Sequence, residues 1–101
     1  HGVQPMSCLH TISKSPDIQL LESCLKIIAS GDAVLFIEDG SYYANSARKL
    51  EAIDKTCKIY GLREDMLARA ILTKAADSVE LIDTARFVKL CCDHDKIVSW
   101  F

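Results

Sequence analysis

The chain alternates between short apolar runs and amphipathic or polar stretches along its whole length. Apolar runs rich in β-branched residues predict strands over 8–12, 33–37, 57–62, 79–82 and 97–101. The segments between them predict helices over 16–30, somewhere within 41–55, over 63–70 and over 84–94. The run 33–37 has no polar interruption, which is typical of a parallel strand covered on both faces.

End signals support several of these helices. Ser15 is a good N-cap and Pro16 suits the first helical position, while Gly31 predicts a left-handed stop after the first helix. Asp83 can cap the last helix. On a helical wheel, one half of the first helix is apolar, so we expect it to pack on the core. The apolar half contains Ile18, Leu20, Leu21, Cys24, Leu25, Ile27 and Ile28.

The order β-α-β-α-β-α-β-α-β predicts a single three-layer α/β domain. Its sheet is expected to be mostly parallel and about five-stranded, with helices on both faces and right-handed crossovers. Ligand sites in such sheets form beyond the carboxyl ends of the strands. Those ends are expected near residues 13–15, 38–40, 63–65 and 83–84.

Composition narrows the classes of function. The chain has 101 residues, half of them apolar, which favours an oligomer that buries apolar surface. Its formal charge of −2 argues against tight, direct nucleic-acid binding. No apolar run approaches the ~20 residues of a membrane span, and no cationic-apolar leader is visible. We therefore expect a cytoplasmic protein whose five cysteines are free thiols.

Cys24 is the first candidate for chemistry. A thiol near a helix N-terminus can take up sulfur as a thiolate, but Cys24 is predicted in the middle of a helix, too far from the dipole to gain much. It also lies near the centre of the apolar half of the wheel. The alternatives are a small buried hydrophobic residue and a functional or interface thiol.

Metal chemistry is suggested by Cys91-Cys92-Asp93-His94. On a helix, Cys91 and His94 share a face, but a structural zinc needs four ligands and Asp95 lies on another face. No CxxC pair is present. We therefore expect no metal site and no cofactor, with Cys91 packed in the core.

Two further pairs are weaker candidates. Cys8 and His10 alternate onto one side of the first strand, and such a pair can act as nucleophile and base, although core packing is the commoner role. Glu38 and Asp39 are adjacent, so they do not form a convergent carboxylate pair. We expect them to serve the turn into Gly40 or a subunit contact.

Several short motifs are spread along the chain: Leu9-His10-Thr11, Ser13, Ser15-Pro16, Glu38-Asp39-Gly40, Tyr60, Glu64-Asp65, Leu67-Ala68-Arg69, Asp83, Phe87-Val88 and Trp100. Taken together in order and spacing, these motifs resemble the TusB/DsrH family from Met6 to Phe101. Residues 1–5 precede that match, and we interpret them as vector-derived, leaving a domain at 6–101. Ala70 departs from the family pattern, in which Gly often follows the Leu-Ala-Arg stretch.

The resemblance implies a DsrE-like fold and a place in a heterohexamer with TusC/TusD-like or DsrF/DsrE-like sister subunits. In the Tus complexes persulfide sulfur passes toward 2-thiolation of the tRNA wobble uridine; in the Dsr complexes it serves cytoplasmic sulfur oxidation. Many members have a cysteine at the position of Cys24, which makes it the candidate persulfide thiol. The main carrier cysteine lies on another subunit, so the resemblance favours an accessory subunit without independent enzymatic activity. An unrelated homo-oligomeric α/β binding protein is the alternative of another class.

Overall fold

The computed structural model describes residues 7–100 and contains a five-stranded, fully parallel sheet. The strands are β1 (Cys8–Ile12), β2 (Ala33–Phe36), β3 (Lys58–Leu62), β4 (Val79–Ile82) and β5 (Lys96–Trp100). The helices are α1 (Ile18–Ile27), α2 (Ala47–Leu50), α3 (Arg63–Ala68) and α4 (Thr84–Asp93), with 3₁₀ segments at Glu38–Asn45 and Leu72–Lys74. Residues 1–5, interpreted as vector-derived, and Phe101 of the last predicted strand lie outside the described residues.

The strand order is β4-β3-β2-β1-β5, so the first strand of the chain lies between the second and the last. α4 connects the two edge strands. This is the predicted three-layer α/β architecture. Within residues 7–100, no helix is long and apolar enough to cross a membrane.

Each face of the sheet has its own apolar cluster. α1, α2, α3 and the first 3₁₀ segment cover one face, and α4 covers the other, so helices lie on both faces as predicted. β2 contributes to both clusters and is buried at every position, which confirms the interpretation of its unbroken apolar run. The strand residues on the first face are Ile12, Val34, Phe36 and Val79; those on the second are Leu9, Ala33, Leu35, Tyr60 and Ile82.

α1 begins later and ends earlier than its sequence signals predicted. Its N-cap is Asp17, not Ser15, because the Asp17 carboxylate accepts the backbone N–H groups of the first helical turn at 2.8 and 3.4 Å. It ends at Ile27 instead of near residue 30. Gly31 does take the predicted left-handed conformation (φ +87°), but in the turn that follows the helix.

The buried stripe of α1 is narrower than the apolar half of its wheel. Cys24 is fully buried at its centre, and four neighbouring aliphatic residues are half-buried. Ile18 and Ile27, which we expected on the core side, are 73% and 57% exposed. Only a narrow row of α1 side chains packs against the sheet, so the apolar residues on either side of this row remain in contact with solvent.

The polar helix predicted within 41–55 is a 3₁₀ segment followed by the single turn of α2. The packing of Gly40 explains this. A Cβ atom at Gly40 would lie 1.9 Å from the Ile12 carbonyl oxygen, so the backbone here is pressed against the end of β1. Tyr43 then stacks on Phe36 with ring centroids 5.5 Å apart, and its hydroxyl accepts the Asp17 N–H at 2.8 Å.

Ala70, which departs from the family pattern, has a left-handed backbone conformation with φ +56°. It follows the C-cap of α3, where glycine is favoured because a Cβ atom makes this conformation unfavourable by roughly 1–2 kcal/mol. A glycine at this position would therefore adopt the left-handed conformation without the steric penalty that Ala70 bears.

We predict that Ala70→Gly increases the free energy of unfolding by about 0.5–1 kcal/mol, because relief of strain exceeds the added entropy of the unfolded chain. Urea denaturation measures this. The same substitution at Ala68, inside α3, is the control and should decrease stability by roughly 0.5–1 kcal/mol. Equal effects at the two positions would contradict the assignment of strain to Ala70.

Candidate functional site

The sequence predicted a site at the carboxyl edge of the sheet. There, the polar side chains of the loops that follow the strands form hydrogen bonds and an ion pair with one another. The Asp65 carboxylate accepts the Glu38 N–H at 2.6 Å. Arg69 forms an ion pair with Asp39 at 3.0 Å, so Glu38 and Asp39 serve contacts within the chain. The Glu64 carboxylate accepts the hydroxyl and N–H of Thr84. These bonds join the ends of β2, β3 and β4 to one another.

Within residues 7–100, three side chains that could ligate a metal or act as a nucleophile and base lie close together at the opposite, amino edge of the sheet. One ligand-type atom from each of Cys8, His10 and Asp32 lies within 4.8 Å of the others. Cys8 and His10 belong to β1, an interior strand of the sheet, and Asp32 immediately precedes β2. His10 and Asp32 are buried, whereas Cys8 is half-buried.

Asp32 is the hub of this group. Its carboxylate accepts hydrogen bonds from the Cys8 N–H at 3.1 Å, the Ala29 N–H at 2.9 Å and the His10 ring at 2.9 Å. Burial alone raises the pKa of Asp32, but these bonds together outweigh it, so the pKa lies below its ordinary value. The carboxylate is therefore ionised at neutral pH.

The tautomer of His10 follows from its partners. The indole N–H of Trp100 can only donate, and it faces His10 Nδ1 at 3.2 Å, so Nδ1 accepts. Nε2 therefore carries the ring proton and donates it to Asp32. His10 is neutral in this arrangement, and both of its nitrogens are occupied.

This hydrogen-bonding pattern does not suit a metal ion, although the residue types do. A metal on Nε2 would move the ring proton to Nδ1, where it would face the Trp100 N–H. The Asp32 oxygens already accept two backbone N–H groups. The arrangement instead fixes the neutral imidazole next to a partly accessible thiol.

The side chain of Cys24, the candidate persulfide thiol, lies on the core-facing side of α1, away from solvent. It is fully buried, in the same apolar cluster as Phe36 and Tyr43. Burial raises the pKa of its thiol to about 11. In the isolated chain, Cys24 thus has neither the access nor the ionisation that a sulfur-accepting thiol needs.

The other cysteines are dispersed. Cys57 is buried and donates its S–H to the Ala29 carbonyl; burial raises its pKa. Cys91 packs against the cluster under α4, and Cys92 is exposed. His94 Nδ1 lies 2.7 Å from the Leu90 carbonyl oxygen and therefore donates to it. Within residues 7–100, Cys91 and His94 are not part of a metal-ligand cluster.

Sequence reasoning identified Cys8 and His10 but missed Asp32 and Trp100. Asp32 stands between Gly31 and the start of β2, and an acid directly before a buried parallel strand was the available signal. The general rule for parallel sheets places ligand sites beyond the carboxyl ends of the strands, so it does not predict a site at their amino ends. Trp100 meets His10 because β5 returns to pair with β1, which the alternation of elements alone does not specify.

We predict that Asp32→Asn lowers the free energy of unfolding at pH 7 by about 2 kcal/mol, because hydrogen bonds to a buried charge are lost. The folded-state pKa is depressed, so the stability due to Asp32 is complete above its unfolded pKa of about 4 and is lost as pH falls through the folded value. The difference between wild type and variant should therefore shrink in acid.

Urea denaturation at several pH values provides this comparison. Asp77→Asn is the control, because Asp77 is exposed and its carboxylate forms no hydrogen bond within the described chain. A difference between wild type and Asp32→Asn that stays constant from pH 7 to acid would refute an ionised Asp32.

Comparisons with known proteins cover nearly the whole chain. A family model described as DsrH like protein matches residues 14–97. Protein TusB of Escherichia coli is 32% identical over 94 residues, which cover 91% of this chain and 99% of that protein. Protein TusB of Shigella dysenteriae is 31% identical with the same coverage.

Among solved structures, the NMR structure of protein Tm0979 from Thermotoga maritima superposes with a TM-score of 0.63 over 85% of this chain and 92% of that chain. At 19% identity this similarity concerns the fold alone. The family model and the TusB relatives go further, because they match the sequence over nearly its full length. The chain therefore belongs to the TusB/DsrH family.

Proposed function

We propose that this chain is a cytoplasmic subunit of a TusBCD-like sulfur-relay complex. The complex passes persulfide sulfur toward 2-thiolation of the tRNA wobble uridine. The observation that carries the proposal is the 32% identity to Escherichia coli TusB over 99% of that protein. In this complex the chain acts as an accessory subunit of a sulfurtransferase and has no independent activity.

The environment of Cys24 supports a structural role over sulfur carriage. With a pKa of about 11, fewer than roughly one in a thousand Cys24 thiols is ionised at pH 7.5. Its full burial also keeps a donor persulfide away. Sulfur transfer through Cys24 would require the sister subunits to open the packing between α1 and the sheet.

Exposed apolar side chains support a subunit role. They lie on α1, the first 3₁₀ segment, α3, β4, α4 and β5, outside both apolar clusters. Interaction surfaces of small domains are made of such residues where they lie next to one another. We propose that these side chains contact TusC/TusD-like subunits, with a homo-oligomer as the substitute in isolation. The most exposed are Ile18, Ile27, Leu67, Val88 and Ile97.

The second candidate is a DsrH-type subunit of a DsrEFH complex in cytoplasmic sulfur oxidation. It is favoured by the description of the matching family model as DsrH like protein. Both candidates share the fold and the kind of assembly. Dissimilatory sulfite reductase genes beside the gene for this chain would favour the Dsr role.

We predict that Cys24→Ser assembles with TusC- and TusD-like subunits and lowers sulfur transfer by the complex less than about twofold, because a buried thiol is not a relay group. Co-purification measures assembly, and thiolation activity of the reconstituted complex measures transfer. The control is Cys92→Ser, which alters an exposed thiol. Complete loss of transfer with assembly intact would make Cys24 a relay thiol.

We also predict that the isolated chain does not bind tRNA tightly. Twelve basic residues against fourteen acidic ones give no concentrated positive surface, and phosphate contacts dominate such binding. Fluorescence anisotropy with labelled tRNA at physiological salt should give no submicromolar Kd. Submicromolar binding would mean that this subunit contacts the RNA directly.

A further inference from the structure

An open groove of about 780 Å³ lies at the amino ends of β3 and β4, on the face of the sheet that α1 covers. The single turn of α2 and the turn after it line one part, and residues 76–78 before β4 line another. Neither segment contains a long helix, so this corner of the sheet lacks the cover that α1 and α4 provide elsewhere. The groove shares no residue with the group of Cys8, His10 and Asp32.

The interior of the groove is apolar. Leu50, Ile53 and Cys57 line it and are buried in the cluster under α1, while Ile59 and Ala76 line it and are half-buried. Its volume is within the roughly 300–1,000 Å³ of ligand-sized pockets, which leaves room for several side chains. An apolar side chain of a partner is therefore the kind of group that fits it.

Exposed charged residues line the same groove. Glu51, Asp54 and Asp77 contribute three carboxylates, and Lys55 contributes one ammonium group. The lining thus has a formal charge of −2, as much as the whole chain of 101 residues. The N–H and the hydroxyl of Thr56 donate to Asp54 and hold the pKa of its carboxyl below the ordinary value, so Asp54 is ionised at neutral pH.

Other charged groups near the groove do not cancel this negative charge. Lys58 and Glu80 line a smaller depression beside it and have opposite signs. The Lys49 ammonium lies 5.9 Å from the centroid of the Tyr43 ring, and neither Lys49 nor Arg48 lines the groove. A partner surface should therefore combine apolar side chains with positive charge.

α4 of this same chain presents apolar side chains to solvent. Ala85, Val88 and Cys92 are all exposed. They follow one another at i, i+3 and i+7, so they form one stripe along the helix. This stripe is distinct from the side of α4 that packs on the sheet through Phe87 and Leu90.

Positive charge borders the α4 stripe. Arg86 and Lys89 are exposed next to it, and the ion pair of Lys89 with Asp93 is long, at 3.9 Å. Exposed pairs of this kind contribute little, so Lys89 can turn to other acidic groups at low cost. Two cations against one carboxylate leave the exposed surface of α4 positive.

We propose that the groove of one copy of this chain binds the α4 stripe of a second copy. The proposal rests on the homo-oligomer that the proposed function includes for the isolated chain, and it names the two surfaces that meet. α4 covers the face of the sheet opposite the groove, so a chain cannot fill its own groove. Two different surfaces meet head to tail, so copies add until a ring closes or a filament extends.

The first test reverses the charges, and sedimentation equilibrium of the full chain measures self-association. Glu51→Lys with Asp77→Lys makes the groove positive, and Lys89→Glu makes α4 negative. Either change should weaken association roughly tenfold, because exposed attractive pairs become repulsive, and all three substitutions together should restore it. Glu22→Lys is the control, because Glu22 is exposed on α1 outside both surfaces, and it should leave association unchanged.

The second test removes the apolar contact. Val88→Ser should weaken association roughly tenfold, the effect of exposing one valine side chain. Leu67→Ser is the matched control, because Leu67 is also highly exposed but lies on α3, outside both surfaces. All substituted positions are exposed, so the variants should remain as stable to urea as the wild type.

A wild-type chain that stays monomeric at every concentration would refute the proposal. A groove variant or a Lys89→Glu variant that associates like the wild type, or a triple variant that stays weak, would refute it too. A monomeric chain whose groove variant loses the sister subunits would assign the groove to those subunits instead. Failure of the wild type to co-purify with sister subunits, with self-association intact, would refute the proposed function and leave this contact standing.

Discussion

The buried carboxylate of Asp32 is the interaction on which the amino edge of the sheet depends. It accepts N–H groups from the turn after α1 and from the start of β1, and it binds the His10 ring. His10 in turn accepts the indole N–H of Trp100 on β5. One buried charge thereby connects a helix end and three neighbouring strands. Removal of its partners would leave it unsatisfied, which is costly in a protein interior.

Burial determines which thiols in this small domain are accessible. Cys24 is enclosed by the apolar cluster under α1, whereas Cys8 lies at the rim of a polar, charged group. In this chain Cys8 is half-buried and Cys24 is fully buried, so Cys8 is the more accessible of the two.

Much of the fold could be predicted because local chemistry specifies it. β4 and the Asp83 cap of α4 occur where the sequence indicated them, since an apolar run bounded by polar residues and a capping carboxylate depend on few distant contacts. The 3₁₀ segment at Glu38–Asn45 could not be predicted, because it follows from packing of Gly40 on the Ile12 carbonyl. The amino-edge site was missed for a similar reason, as His10 and Trp100 are 90 positions apart.

The pairing of β1 with β5 also constrains how the chain can fold during synthesis. The interior strand β1 receives one of its two neighbours only when β5 has left the ribosome. Until then, one side of β1 has open backbone hydrogen-bonding groups, an edge that attracts other strands. Contacts this distant in sequence also slow folding. A nascent chain that stalls before residue 96 is therefore exposed to aggregation along β1, a strand that the complete sheet covers on both sides.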